Sequence, residues 1–180
     1  VYTSYSQMLN EETLDAVVAS QLFTRHGSLV PELLKWGLPV FIEKPLAGTI
    51  EMGQKIVDAA QKSGTFVMVG YHKRSDPAMI WAHEQIDRLK ASGELGPLQY
   101  VRLLMPAGEW MNSGFFDLIQ SDEPIPALDQ DPPDRHMDKS LYDEYIGFVN
   151  YYIHQVNLLR HLVGESYEVT HAEPSGVLLV

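Results

Sequence analysis

Two stretches hold the residues best suited to chemistry. The first is Glu43-Lys44-Pro45, directly after the apolar run Leu-Pro-Val-Phe-Ile. In open parallel sheets, ligands sit outside the carboxyl ends of the strands. Pro45 fixes its own φ and lacks a backbone N–H, so the turn is stiff and aims the lysine at one point. The second is a long helical pattern in which Asp143, Gly147, Asn150, His154, Asn157 and His161 are spaced four, three, four, three and four apart. That spacing puts them on one helix face. Their flanks are Tyr, Ile, Phe, Val and Leu, so the stripe is largely buried and must find partners or a ligand. Lysine and histidine can both hand over protons when their surroundings tune them. The plain alternatives are a solvated strand-end lysine and a core histidine satisfied by a neighbour. Zinc is disfavoured: His154 and His161 lie two turns apart, and the chain has no cysteine and no His-Glu-x-x-His.

The elements that must position these groups follow from the hydrophobic pattern. Short Val-rich runs in "LDAVVAS", "LPVFIEK" and "TFVMVGY" read as buried parallel strands. Between them, "RHGSLVPELLKWG" predicts a helix stopped by Gly37, with Pro31 as an internal irregularity. "TIEMGQKIVDAAQKSG" predicts a helix capped by Thr49 and closed by Gly64, with Met52, Ile56, Val57 and Ala60 at helical spacing. These βαβ units predict a parallel sheet with helices on its faces. A short helix, with Ser4 as a possible cap, precedes them. Beyond "HKRSDP" come a helix at 77–96, a strand "LQYVRLLM", a proline-rich excursion at 106–140, the long helix at 140–164, and strands "SYEVTHAE" and "SGVLLV". The excursion is too long for an idle connection and reads as functional.

Composition narrows the classes. Thirteen basic and twenty-four acidic residues give a net charge of −11, which argues against non-specific binding to nucleic acid or an anionic membrane. No apolar run is long enough to span a bilayer, and the N-terminus has no signal-peptide pattern. Without cysteine there is no disulfide framework, and a cytoplasmic setting is the expectation.

The residues from "DAVVAS" through "ELLKWGLPVFIEKPLAGTIEMGQKIVDAAQKSG" to "VGYHKRSDP" resemble the second half of the nucleotide-binding domain of the glucose–fructose oxidoreductase / inositol dehydrogenase / MocA (Gfo/Idh/MocA) family. "GELGPLQYVRLLM" resembles the start of that family's second domain, and "NYYIHQVNLLRHLVG" its Asp-x-Gly-x-His-x-x-Asp helix. The resemblance implies an α/β chain: residues 1–73 as the second half of a Rossmann-type parallel sheet, and residues 74–180 as part of an α+β substrate and dimerisation domain. It implies NAD or NADP as cofactor and a sugar, cyclitol or related polyol as substrate, with hydride transfer as the reaction. Lys44 and His154 would be the proton-handling pair, and the Lys44–Pro45 bond would be cis. Ser20, Gln21, His26, Glu43, Lys44, Pro45 and Arg74 would meet the cofactor. Asn150, Tyr152 and Asn157 would meet the substrate. A homo-oligomer through the second domain's sheet is implied too.

Two departures from the family pattern matter. Its two Asp positions are Asn150 and Asn157 here, and its Gly is Tyr152, so the pocket is altered and Tyr152 would narrow it. The chain also has no Gly-x-Gly-x-x-Gly to let a backbone approach a pyrophosphate. The expectation is therefore an internal piece of a longer oxidoreductase, inactive alone, with a naturally shortened relative as the alternative. Two rival functions remain, an NAD-dependent glycosidase of the same fold and a non-catalytic sugar-binding sensor. Trp36 and Trp81 are expected to pack, and Trp110 could line a sugar site. His72, His83, His136 and His171 fall into no pattern.

Overall fold

In the computed structural model, three short strands, β1 (Val17–Ala19), β2 (Val40–Ile42) and β3 (Val67–Val69), form a parallel sheet in that order. The structure describes residues 1–104, 122, 124, 127–173 and 177–179. Register places Val17 beside Val40 and Val40 beside Val67, so all three strands end together at Ala19, Ile42 and Val69. The chain is thus α/β, and the three strand ends form one rim from which Ser20, Glu43 and Gly70 follow.

Helix α1 (Tyr5–Glu11) precedes the sheet, and α2 (His26–Leu34) and α3 (Ile50–Ser63) connect its strands. Ser4 is the N-cap residue of α1 but makes no side-chain cap bond. Thr49 does cap α3, its hydroxyl accepting from the Met52 N–H at 3.2 Å. Gly64, at φ 70, ends that helix in the left-handed conformation that favours glycine. The core forms where α2 and α3 meet one sheet face: Val30, Leu33, Leu34, Val40, Ile42 and Ile56 are all essentially sealed from solvent. Met52 joins the buried set, while Val57 is exposed.

The other face of the sheet departs from expectation. Val18, Phe41 and Met68 lie side by side in register and are exposed, so the described residues cover the sheet on one side only. Trp36 and Trp81, expected to pack, are exposed as well.

After β3 a 3-10 turn (His72–Ser75) leads into α4 (Pro77–Ser92), with the Asp76 carboxylate accepting from the Ala78 N–H at 2.8 Å. Residues 98–104 form no strand; a strand exists only by pairing, and no described strand lies beside them. The rest of the expected excursion up to residue 121, Trp110 included, lies outside the described residues. Helix α5 (Lys139–Val163) is capped by Asp138 and ends at Gly164. Lys90 of α4 donates to the Val163 carbonyl at 2.5 Å and pairs with Glu165, a cation at a helix C-terminus. Strands β4 (His171–Glu173) and β5 (Val177–Leu179) then pair antiparallel. The strand expected over "SYEVTHAE" is confined to its last three residues.

A pin joins the two ends of the sequence. Asp131, 5% exposed, donates its N–H to the Thr24 carbonyl at 2.6 Å. Its carboxylate accepts from the Gly27 N–H at 2.7 Å and from the Ser28 hydroxyl at 2.5 Å. Arg25 Nε adds a bond to the Asp129 carbonyl at 2.9 Å. A carboxylate at the start of α2 satisfies open backbone N–H groups and suits the helix dipole.

Gly27 also sets how closely α2 and α3 approach. A Cβ there would lie 2.5 Å from the Met52 Cβ, an atom too near its own backbone to swing aside. Gly27→Ala is therefore expected to cost about 1–3 kcal/mol. The cost would appear as a lower urea midpoint at unchanged slope. A wild-type midpoint would mean that the two helices separate freely.

Candidate active site

Lys44 leaves the end of β2 on a turn that two other elements hold in place. The Lys44–Pro45 bond is cis, as expected, and Pro45 is buried. His26, at the start of α2, is fully buried and reaches the Leu46 carbonyl with Nδ1 at 3.1 Å and the Gln21 carbonyl with Nε2 at 3.2 Å. A backbone hydrogen bond joins Leu46 to the Tyr71 hydroxyl, just past β3. His26 thus ties the loop after β1 to the turn after β2. Expected from sequence to meet a cofactor, it is enclosed among the described residues.

Held this way, the Lys44 ammonium meets α5. Its Nζ donates to the Asn150 carbonyl at 2.8 Å and to Asn150 Oδ1 at 2.9 Å. An ammonium has three donors, so one remains for another acceptor. Burial lowers the Lys44 pKa, with Glu43 opposing the shift. Glu43 itself is exposed and accepts from the Lys44 N–H at 3.2 Å.

His154 lies one helical turn beyond Asn150 and crosses His72 edge-on, with ring centroids 4.8 Å apart. Its Nδ1 is buried without a hydrogen-bond partner among the described residues, as is Gln155 Oε1. Burial, then the nearby Lys44, His72 and Lys73, push the His154 pKa down to about 4. Further along the stripe, Arg74 Nε donates to Asn157 Oδ1 at 2.6 Å. His161 stacks on His83 of α4, centroids 4.3 Å apart, with Asp87 3.4 Å from His83 Nδ1. The polar stripe of α5 therefore docks, position by position, against side chains from the sheet rim and α4.

The structure thus brings Lys44, Asn150 and His154 together, and joins Arg74 to Asn157. Asn150 and Asn157 serve as acceptors for cations. Ser20 is exposed at the end of β1, and the side-chain oxygen of Gln21 accepts from Arg25. Tyr152 packs its ring with Phe148 and Tyr151. His72 and Lys73 were not singled out by sequence, although both follow the third strand at the same rim as Lys44. A cavity of about 530 Å³ adjoins the turn through Pro45 and Tyr71, with Val57, Phe148 and Ile153 among its walls. Neither Lys44 nor His154 lines it, so chemistry rather than volume locates the candidate site. Among the described residues, no cluster of His, Asp and Glu could hold a metal ion. Among the described residues, no helix is long and apolar enough to cross a membrane.

Comparison with known proteins gives this arrangement its context. Residues 1–71 match the GFO_IDH_MocA model, described as an oxidoreductase family with an NAD-binding Rossmann fold. The scyllo-inositol 2-dehydrogenase (NAD(+)) of Bacillus subtilis is 30% identical over 95 residues, 52% of this chain and 27% of its own length. The inositol 2-dehydrogenase of Rubrobacter xylanophilus is 33% identical over 97 residues, 53% of this chain and 27% of its own. The chain therefore spans about a quarter of the length of these relatives. A probable dehydrogenase from Thermotoga maritima superposes over 93% of this chain and 42% of its own, with a TM-score of 0.57 at 17% identity, a likeness of fold.

The depressed His154 pKa has a testable consequence. Above pH 6.5 the ring is neutral folded and unfolded alike. Between 6.5 and about 4 the unfolded chain takes up a proton that the folded one does not. His154 therefore weakens folding as pH falls through that window. Histidine ring NMR should show His154 neutral well below pH 6. His154→Gln should flatten the dependence of the urea midpoint on pH. A midpoint near 6.5 for that ring would mean that it is solvated and apart from Lys44.

Proposed function

We propose that the chain, whose residues 1–71 match the Gfo/Idh/MocA oxidoreductase model, carries the nicotinamide side of a dehydrogenase site. It would act, in the whole protein, on a hydroxyl of a sugar, cyclitol or related polyol with NAD or NADP. The observation that carries the reading is the convergence of Lys44, from the rim of the parallel sheet, with His154 on α5, through the Asn150 clamp.

The residues present fit one end of a dinucleotide. The orphaned Nδ1 of His154 and the spare donor of Lys44 are groups that a ligand hydroxyl could satisfy. Ser20 and Glu43 stand exposed on the same rim and suit ribose or carboxamide contacts. Among the described residues no phosphate cradle accompanies them: the start of α2, where a phosphate could sit, is taken by the Asp131 carboxylate. When bound, the nicotinamide supplies the hydride acceptor or donor. Lys44 would hold the reacting oxygen and stabilise negative charge on it as the hydride moves. His154, neutral near pH 7, would take the hydroxyl proton in oxidation and return it in reduction. Asn150 would fix the ammonium through its side-chain and backbone oxygens. We place the domain boundary near residue 73, where the rim ends and α4 begins.

In the whole protein, Lys44→Met is expected to leave cofactor affinity nearly unchanged and slow hydride transfer by ~10²–10⁴-fold. Pre-steady-state formation of reduced cofactor reads this directly. Unchanged rates would make Lys44 an anchor for α5 and no more. Polyol binding with no reduced cofactor from the wild type would favour the sensor reading.

A further inference from the structure

Helix α4 is fastened to α5 by polar groups. Among the described residues none of its side chains is buried, so it lacks the sealed apolar stripe that anchors α2 and α3. Two fastenings are side by side. Lys90 donates to the Val163 carbonyl and pairs with Glu165. One turn or two earlier, His83 of α4 and His161 of α5 lie face to face, with centroids 4.3 Å apart and planes 8° from parallel. Both rings are half-buried. Asp87, one turn beyond His83 on α4, stands 3.4 Å from His83 Nδ1 and balances a proton on that ring. Burial, then His83 and the Arg74 that reaches across from the turn after β3, lower the His161 pKa, and Asp87 opposes the shift. The remaining charge beside His161 on its own helix is Arg160, whose guanidinium lies over the Tyr167 ring at 5.9 Å. The stack thus tolerates one proton, which Asp87 balances. Two imidazolium ions at this separation repel, and one carboxylate balances only one of them.

We propose that the His83–His161 stack is an acid-released latch: a neutral His161 keeps α4 docked on α5, and a proton on His161 frees it. The turn that carries His72 and Arg74 runs directly into α4, so release also loosens the hold of that turn on His154 and Asn157. The sign follows from linkage. Released, His161 titrates at the ordinary histidine value of 6.5; docked, it takes its proton only at lower pH. Above 6.5 the ring is neutral either way and the latch holds at full strength. Below 6.5 the released state gains a proton that the docked state refuses, and the balance moves toward release. The latch does not depend on the reaction assigned to the Lys44–His154 cleft.

Amide hydrogen exchange of the whole protein, corrected for the intrinsic pH dependence of exchange, tests this. A single helix released from its support is marginal in water, so its amides lose protection. Protection of α4 should fall roughly 3–10-fold between about pH 7.5 and about pH 5.5, while that of α3 stays constant. His161→Phe keeps a ring for His83 to stack on and removes the titrating group, so its α4 protection should not change over that range. The variant leaves His154 in place, and a pH dependence that came from His154 would persist in it. Histidine ring NMR of the wild type supplies a second reading, a His161 midpoint below 6.5, which stands even where the variant does not fold. An α4 protection indifferent to pH, a dependence that survives His161→Phe, or a His161 midpoint at or above 6.5 overturns the proposal. None of these readings uses turnover, so failure to form reduced cofactor refutes the dehydrogenase reading alone.

Discussion

The Leu46 backbone is the point on which the rest of the site depends. Its carbonyl faces the buried ring of His26, and its amide is joined to the Tyr71 hydroxyl. Those partners come from the start of α2 and the end of β3, so the turn between β2 and α3 is tied to both neighbouring units. A lysine side chain has about 2 kcal/mol of rotamer entropy to lose. Fixing the turn that carries it at two points is what lets two bonds to Asn150 outweigh that loss. Without the clamp, Lys44 would be the solvated strand-end lysine of the plain reading.

The second half of the chain approaches this rim along two independent lines. Asp131 closes one, through the Gly27 N–H, the Ser28 hydroxyl and the Thr24 carbonyl at the start of α2. The α5 stripe closes the other, with Asn150, His154, Asn157 and His161 meeting Lys44, His72, Arg74 and His83 in order. The second line is polar and partly exposed, so it contributes register more than stability. A helix that slid by one turn would exchange every partner. Such a seam specifies one arrangement of α5 over the rim, and a purely apolar face would tolerate several.

Much of this was legible in the sequence, for identifiable reasons. The strands and α3 carried strong local signals, namely Val-rich runs, the Thr49 cap and the Gly64 stop. The α5 stripe was legible because polar spacing on an apolar helix has few explanations. Its partners were not legible: His72 and Lys73 sit in a short turn with no periodicity, and only the sheet register brings them to His154. His26 looked like a ligand contact because of its position after β1, yet burial turned it into a bridge between backbones. Asp131 gave no local signal at all, since its partners lie more than a hundred positions away. The bare second face of the sheet was equally hidden. Val18, Phe41 and Met68 read as core by type, and only packing reveals that they stay exposed among the described residues.

The tight grouping of cations has a consequence for how Lys44 and His154 divide the work. The neutrality of His154 is in part caused by Lys44, whose charge opposes protonation of the ring. On the proposed dehydrogenase reading, removing the Lys44 charge would take an electrostatic stabiliser from the reacting oxygen and at the same time raise the basicity of His154. The first change would slow proton and hydride transfer, and the second would partly offset it. A rate lost on substituting Lys44 is thus a difference between opposing effects, and it understates what the ammonium does directly. Following the His154 titration in the same variant separates the two, because only the electrostatic coupling moves the ring's midpoint. A double substitution of Lys44 and His154 then gives the coupling energy as the departure from additivity.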